Sequence, residues 1–249
     1  MRFLLSLLTT CLCFAADLPS GESLIRKALE GSGGEAAIAK VKTAAMSGSV
    51  EMGGGSLVGT VSVFQGSGKS YTVIELPGIG KIEEGFDGET AWEMNAIQGV
   101  RIKDGTEKAL AARNANMSVL LGWRDLYTAA TTLGEDTVDG RPAWQVELTP
   151  KTGKPETFYF DKESGLPVRM TMTVAMSMGE VTVDERISDY RLVSGIRTPF
   201  QVVQKAMNQA LTMKFDKVEY NGTLPPDRFE LPAQVKTVLE RRKAAAAAK

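Results

Sequence analysis

Acidic residues close together in the chain are the first candidates for chemistry. Asp136-Thr137-Val138-Asp139-Gly140 could hold a catalytic or calcium-binding pair, but an Asp-Gly step between apolar runs is foremost a hairpin turn. Glu83 and Glu84 are adjacent, so on a strand they point to opposite faces and cannot act on one substrate. Ser67-Gly68-Lys69 offers a hydroxyl and an amine, again within a turn. The chain has no histidine, and its two cysteines are Cys11 and Cys13, both in the first fifteen residues. Without an imidazole there is no Ser-His-Asp triad, and the chain beyond the leader has no thiol nucleophile. The usual ligand sets of structural zinc and attached haem are missing too. The expectation is a protein that is not an enzyme and needs no cofactor and no metal.

Carboxylate, lysine, tyrosine or serine chemistry remains open, and a carboxylate hydrolase would need two acids converging in one pocket, for which the sequence has no signature; the stronger signal is apolar surface. Leu166, Val168, Met170, Met172, Val174, Met176 and Met178 occupy one parity, with Arg169, Thr171, Thr173 and Ser177 on the other. Alternation of this kind marks a strand with one apolar face. Val181, Val183 and Ile187 continue that face on a partner strand, after a turn near Gly179. Methionine is flexible and polarizable, so such a face suits either an adaptable binding surface or ordinary core packing beneath helices.

The elements that position this face are mostly short strands. From Thr43 onward, turn pairs such as Pro77-Gly78, Asp87-Gly88, Asp104-Gly105, Asp139-Gly140 and Ser164-Gly165 separate extended runs, the pattern of an antiparallel meander. Further strands fit Phe200 to Ala206 and Leu211 to Tyr220. The long alternating runs suggest a strongly curved sheet. Ser23 to Glu30 reads as an amphipathic helix, ended by Gly31-Ser32-Gly33-Gly34, and Glu35 to Val41 as a short second one. One helical insertion, Glu107 to Leu121, interrupts the meander and is a candidate cover for the sheet. Val235 to Lys249 reads as a helical or frayed C-terminal tail, basic and alanine-rich.

The first residues have the pattern of an export signal: Met1-Arg2, an apolar run from Phe3 to Phe14, and Ala15-Ala16-Asp17 as a small-residue exit. Cleavage after Ala15 is expected, giving a signal peptide over 1–15, one domain over 16–234 and a tail over 235–249. Leu8-Thr9-Thr10-Cys11 is a poor lipobox, because Thr10 is large and the preceding apolar stretch short, so anchoring through Cys11 is disfavoured. The expected location is the periplasm. With 29 basic and 30 acidic residues, no global charge recruits nucleic acid.

Several local patterns follow one another in a set order along the chain. They are Gly33-Gly34-Glu35-Ala36, Phe86-Asp87-Gly88-Glu89-Thr90-Ala91-Trp92, and Val138-Asp139-Gly140-Arg141-Pro142-Ala143-Trp144-Gln145-Val146. Phe158-Tyr159-Phe160-Asp161 and Ser164-Gly165-Leu166-Pro167-Val168-Arg169 follow, then Gly195-Ile196-Arg197-Thr198-Pro199 and Pro226-Asp227-Arg228-Phe229-Glu230-Leu231-Pro232. In this order of elements, roughly Leu24 to Pro232 resembles the LolA/LolB-like carriers of the bacterial envelope, including the outer-membrane lipoprotein-sorting proteins. The resemblance implies a mainly β fold with a few helices: an incomplete, strongly curved antiparallel β-barrel wrapped around helices. It also implies an apolar cavity for a lipid or the acyl chains of a lipoprotein, and non-covalent transfer without a cofactor. A monomer that contacts a membrane transiently is expected.

Parity selects Trp92, Met94, Trp144, Val146, Phe158, Phe160, Met170, Met172, Val174 and Met213 as lining candidates, with Leu110, Met117, Leu120 and Leu121 as a lid. Parity does not separate a cavity from a solid core. The alternative is a cell-envelope structural or assembly module, its barrel filled by its own helices, that binds a protein partner.

Overall fold

A computed structural model describes residues 18–176 and 179–248. The expected signal peptide lies outside these residues, as do the side chains of Met176 and Met178. Among the described residues, alternating sequences and tight turns build thirteen strands: β1 (Thr43–Met52), β2 (Leu57–Gly66), β3 (Lys69–Leu76), β4 (Gly80–Phe86), β5 (Ala91–Asn95), β6 (Gly99–Lys103), β7 (Tyr127–Val138), β8 (Arg141–Pro150), β9 (Glu156–Asp161), β10 (Pro167–Met176), β11 (Gly179–Val193), β12 (Ile196–Ala206) and β13 (Gln209–Tyr220). The helices are α1 (Gly21–Gly31), α2 (Glu35–Ile38), α3 (Gly105–Asn114), α4 (Trp123–Leu126) and α5 (Ala233–Ala247).

All thirteen strands form one antiparallel sheet in the order β6-β5-β4-β3-β2-β1-β13-β12-β11-β10-β9-β8-β7. Two meanders, β1–β6 and β7–β13, are joined where β1 pairs with β13. The sheet curves without closing. β6 and β7 are consecutive in the chain but stand at opposite edges. The segment between them, α3 and α4, must therefore bridge the gap of an incomplete barrel.

Residues paired across antiparallel strands share a face, so the register sorts inside from outside. Val146 pairs with Phe158, Phe158 with Met170, and Met170 with Glu185, which pairs with Gln204. This is the concave face. At one end α1 fills it: Leu24, Ile25, Ala28 and Leu29 pack with Val146, Leu148, Phe158 and Phe160. Each buried Leu, Ile, Val or Phe among them contributes roughly 1.5–3 kcal/mol. Ser20 caps α1 by accepting from the Ser23 amide at 3.2 Å. Gly31 ends the helix against the β9–β10 turn, where a Cβ would sit 2.4 Å from the Ser164 carbonyl oxygen. Further round, Val50, Val61, Leu76, Phe200 and Phe215 form a second cluster with Met213 and Ile82 at its margin.

The C-terminal segment is helical and docks on the sheet. α5 begins at Ala233, so a boundary drawn between 234 and 235 falls inside it, and Val235 is fully buried against Trp92 and Ile102. Trp92 pairs with Gly85 and Ile102, whereas the neighbouring Ala91 pairs with Phe86 and packs beneath α3. The edge strands β4–β6 are thus sandwiched, with α3 on the concave side and α5 on the convex side. Gly85 makes room for the indole, whose ring atoms lie 2.8 Å from where a Cβ would be.

The insertion also differs from its expected span. α3 stops at Asn114 because the Asn116 side chain donates to the Ala112 and Arg113 carbonyls, and Met117, Leu120 and Leu121 follow in turns.

Candidate functional site

Between α3, the edge strands β4–β6 and the concave face of β10–β12 lies a cavity of about 940 Å³, open at one end. That is near the upper end of the range for small-molecule sites. Its floor is apolar, made by Met172, Val174 and Val183 with Leu110 from α3, and its opposite wall is charged. The mouth opens at the end of the barrel where Gln98, Lys154 and Met207 stand in or beside hairpin turns. Apolar floor and polar wall together suit an amphiphile.

The charged wall is internally paired. Arg101 forks Glu107 of α3 at 2.6 and 2.8 Å and donates its Nε to Glu93 at 2.8 Å. Lys103 reaches Glu84 at 2.7 Å and Glu93 at 3.5 Å, and Lys154 pairs with Glu180 at 2.5 Å. Burial pushes the Glu93 carboxyl up, but the hydrogen bond from Arg101 and the charges of Lys103 and Arg101 outweigh it and hold the group below its usual range. The Arg101 fork pins α3 to β6 and, through Glu93, to β5, while Lys154 and Glu180 tie the β8–β9 turn to β11.

A second set of bonds pins α3 across the gap. Arg113, in the last turn of α3, donates to Glu156 of β9 at 2.5 Å and to the Thr152 carbonyl at 2.8 Å. Tyr127 donates to the other Glu156 oxygen at 2.6 Å. Both ends of the ion pair are buried, Arg113 at 7% and Glu156 at 4% exposure. Burial, then the neighbouring Glu156 charge and hydrogen bond, push the Tyr127 phenol well above its usual range, so it stays a donor. The result is a strap, α3, clamped by charge pairs to the edge strand β6 on one side and, through a buried pair, to β9 on the other.

The predicted site residues divide among four places. Met172, Val174 and Leu110 line the cavity. Trp144, Val146, Phe158, Phe160 and Met170 pack in or against the α1 cluster, joined there by Met117, Leu120 and Leu121, so these belong to a filled interior and not to the cavity lining or its lid. Met213 belongs to the second concave cluster. Trp92 and Met94 pack under α5 on the convex face, because β5 carries its large apolar residues opposite to α3. The charged wall and the Arg113–Glu156–Tyr127 clamp were not expected from sequence, since pairs 43 and 29 residues apart leave no local trace.

Glu185 did leave a trace: it interrupts the apolar parity Val181, Val183, Ile187. On the concave face it accepts one hydrogen bond, from Gln204 at 2.8 Å, and burial pushes its carboxyl above the usual range. A carboxyl with a raised folded-state pKa makes the native state bind the extra proton, so stability falls as pH rises from the unfolded value through the folded one. Glu185→Gln is therefore expected to match the parent near pH 4 and to melt higher at pH 8. Calorimetry at the two pH values checks this, each ~1 kcal/mol appearing as about 2–4 °C at this chain size.

Comparison with known proteins agrees with this geometry. No family model matches the sequence, and no curated protein does. Among solved structures, the architecture is shared with a LolA superfamily protein from Nitrosomonas europaea, at 12% identity and a TM-score of 0.57, over 86% of this chain and 99% of that one. It is shared also with an outer membrane lipoprotein-sorting protein domain from Vibrio parahaemolyticus, at 12% identity and 0.55, over 89% and 98%. A DUF1329 family protein from Desulfovibrio piger aligns at 16% identity and 0.56, over 84% and 95%. The protein is an open antiparallel half-barrel wrapped around helices. Its fold is LolA-like.

Proposed function

We propose that this protein is an exported carrier or binding protein that holds a lipid, or the acyl chains of a lipoprotein, in the cavity between α3 and β10–β12, without covalent chemistry. The observation that carries the reading is the apolar floor of Met172, Val174, Val183 and Leu110 in a cavity of about 940 Å³. Transfer of each CH₂ from water to such a floor is worth about 0.8 kcal/mol, enough to hold an acyl chain. The LolA-like fold and the export signal read from the sequence support a periplasmic setting. Val58, Ile79, Ile97 and Met207 are exposed in or beside hairpin turns at the end where the cavity opens, which suits transient contact with a membrane during loading and release. Among the described residues no helix is long and apolar enough to cross one.

A second reading, an envelope assembly module that binds a protein partner, draws on the extent to which α1 fills the other half of the barrel. The two are separated by titration with N-phenyl-1-naphthylamine, a neutral fluorophore that brightens in apolar sites. A carrier gives saturable binding that acyl chains reverse, tightening about fourfold for each CH₂ added until the cavity is full. No saturable signal from a protein with native circular dichroism overturns the carrier reading.

A further inference from the structure

We infer, resting on the carrier reading, that the ligand is an amphiphile whose polar end donates hydrogen bonds, with a cationic amine the best fit, and that Glu185 receives it. The inference stands on where charge is free and where it is already taken. Every cation lining the cavity has a carboxylate partner: Arg101 has two, and Lys103, Arg113 and Lys154 are each engaged. The lining carries five carboxylates against these four cations. A fatty-acid carboxylate or a phosphate head would have to displace one of those partners and then remain beside it. Anionic heads are therefore disfavoured.

Glu185 is placed differently. It stands one pleat deeper than the lining residue Val183, hydrogen-bonded to the lining residue Gln204 and paired in register with Met170. No cation among the described residues approaches it, and its single partner is a neutral amide. A carboxylate on the concave face, between two apolar clusters, is costly unless something completes it. An ammonium or hydroxyl entering along the floor would supply the missing donor, while its chain lay on Met172, Val174 and Val183. The depth of Glu185 puts the head group inward and the chain toward the mouth.

The test competes three twelve-carbon compounds against bound N-phenyl-1-naphthylamine at pH 8: dodecylammonium, dodecanoate and methyl dodecanoate. Dodecylammonium is expected to compete about tenfold or more better than dodecanoate, the scale of a charge-assisted hydrogen bond in a partly desolvated site. Glu185→Gln is expected to remove most of that advantage while methyl dodecanoate competes as before. If methyl dodecanoate competes well and dodecylammonium shows no advantage, or if the advantage survives in Glu185→Gln, the role of Glu185 is overturned and the carrier reading stands. If none of the three binds the folded protein, both fall. Should Glu185→Gln fold poorly, Gln204→Leu, which removes the partner amide and keeps the carboxylate, is expected to keep the amine preference; its loss there also counts against Glu185.

Discussion

Replacing Glu156 by alanine is expected to cost about 3–5 kcal/mol, because it leaves the Arg113 guanidinium buried with its charge uncompensated. Arg113 already carries one buried Nε without a partner, so the site has no slack to absorb a further loss. Tyr127 loses its acceptor in the same step. The damage should concentrate on α3, whose remaining Arg113 hydrogen bond to that side of the sheet, among the described residues, is to the Thr152 carbonyl. Hydrogen exchange of the α3 amides is therefore expected to accelerate well before global unfolding, and urea melts should report the full destabilisation. The double substitution Arg113→Met with Glu156→Met is expected to recover much of the loss, since an apolar pair avoids the desolvation of both charges. A Glu156→Ala protein as stable as the parent, with α3 still protected, would show that the clamp does not hold the strap.

The second large effect separates cavity from core on the same concave face. Val174→Glu places a charge on the cavity floor, where solvent enters from the mouth, and is expected to abolish N-phenyl-1-naphthylamine binding with little change in melting temperature. Phe160→Ala removes a ring that is 1% exposed and stacked 6.1 Å from Phe158, and is expected to cost about 3–5 kcal/mol by leaving a hole beside α1. Binding by the folded fraction of Phe160→Ala should persist. Were Val174→Glu to unfold the chain, its position would be solid core and the cavity would have no floor.

The meander was legible in the sequence because turn pairs and alternation are local, and α1 because Leu24, Ile25, Ala28 and Leu29 repeat at helical spacing. Parity found the concave face of β8–β10 but could not say which part of it a helix covers; that depends on where α1 lies, with Gly31 against Ser164 far along the chain. Trp92 and Met94 were misplaced for a similar reason. Their strand has small or polar residues, Ala91 and Glu93, toward α3, and its bulky ones face α5, which is more than a hundred residues later. The helix expected to reach Leu121 was cut at Asn114 by one side chain, Asn116, bonding backward. The clamp was invisible because Arg113 looks like any surface arginine in a helix until Glu156 is brought beneath it by the sheet.

Native mass spectrometry of the protein purified from the cell envelope without detergent, followed by extraction and identification of the released compound, tests the carrier role most directly. The expected result is a population heavier than the polypeptide by the mass of one amphiphile, which strips off on collisional activation and is absent from Val174→Glu. A folded protein that carries no added mass, and stays bare after incubation with envelope lipids, would contradict the carrier role.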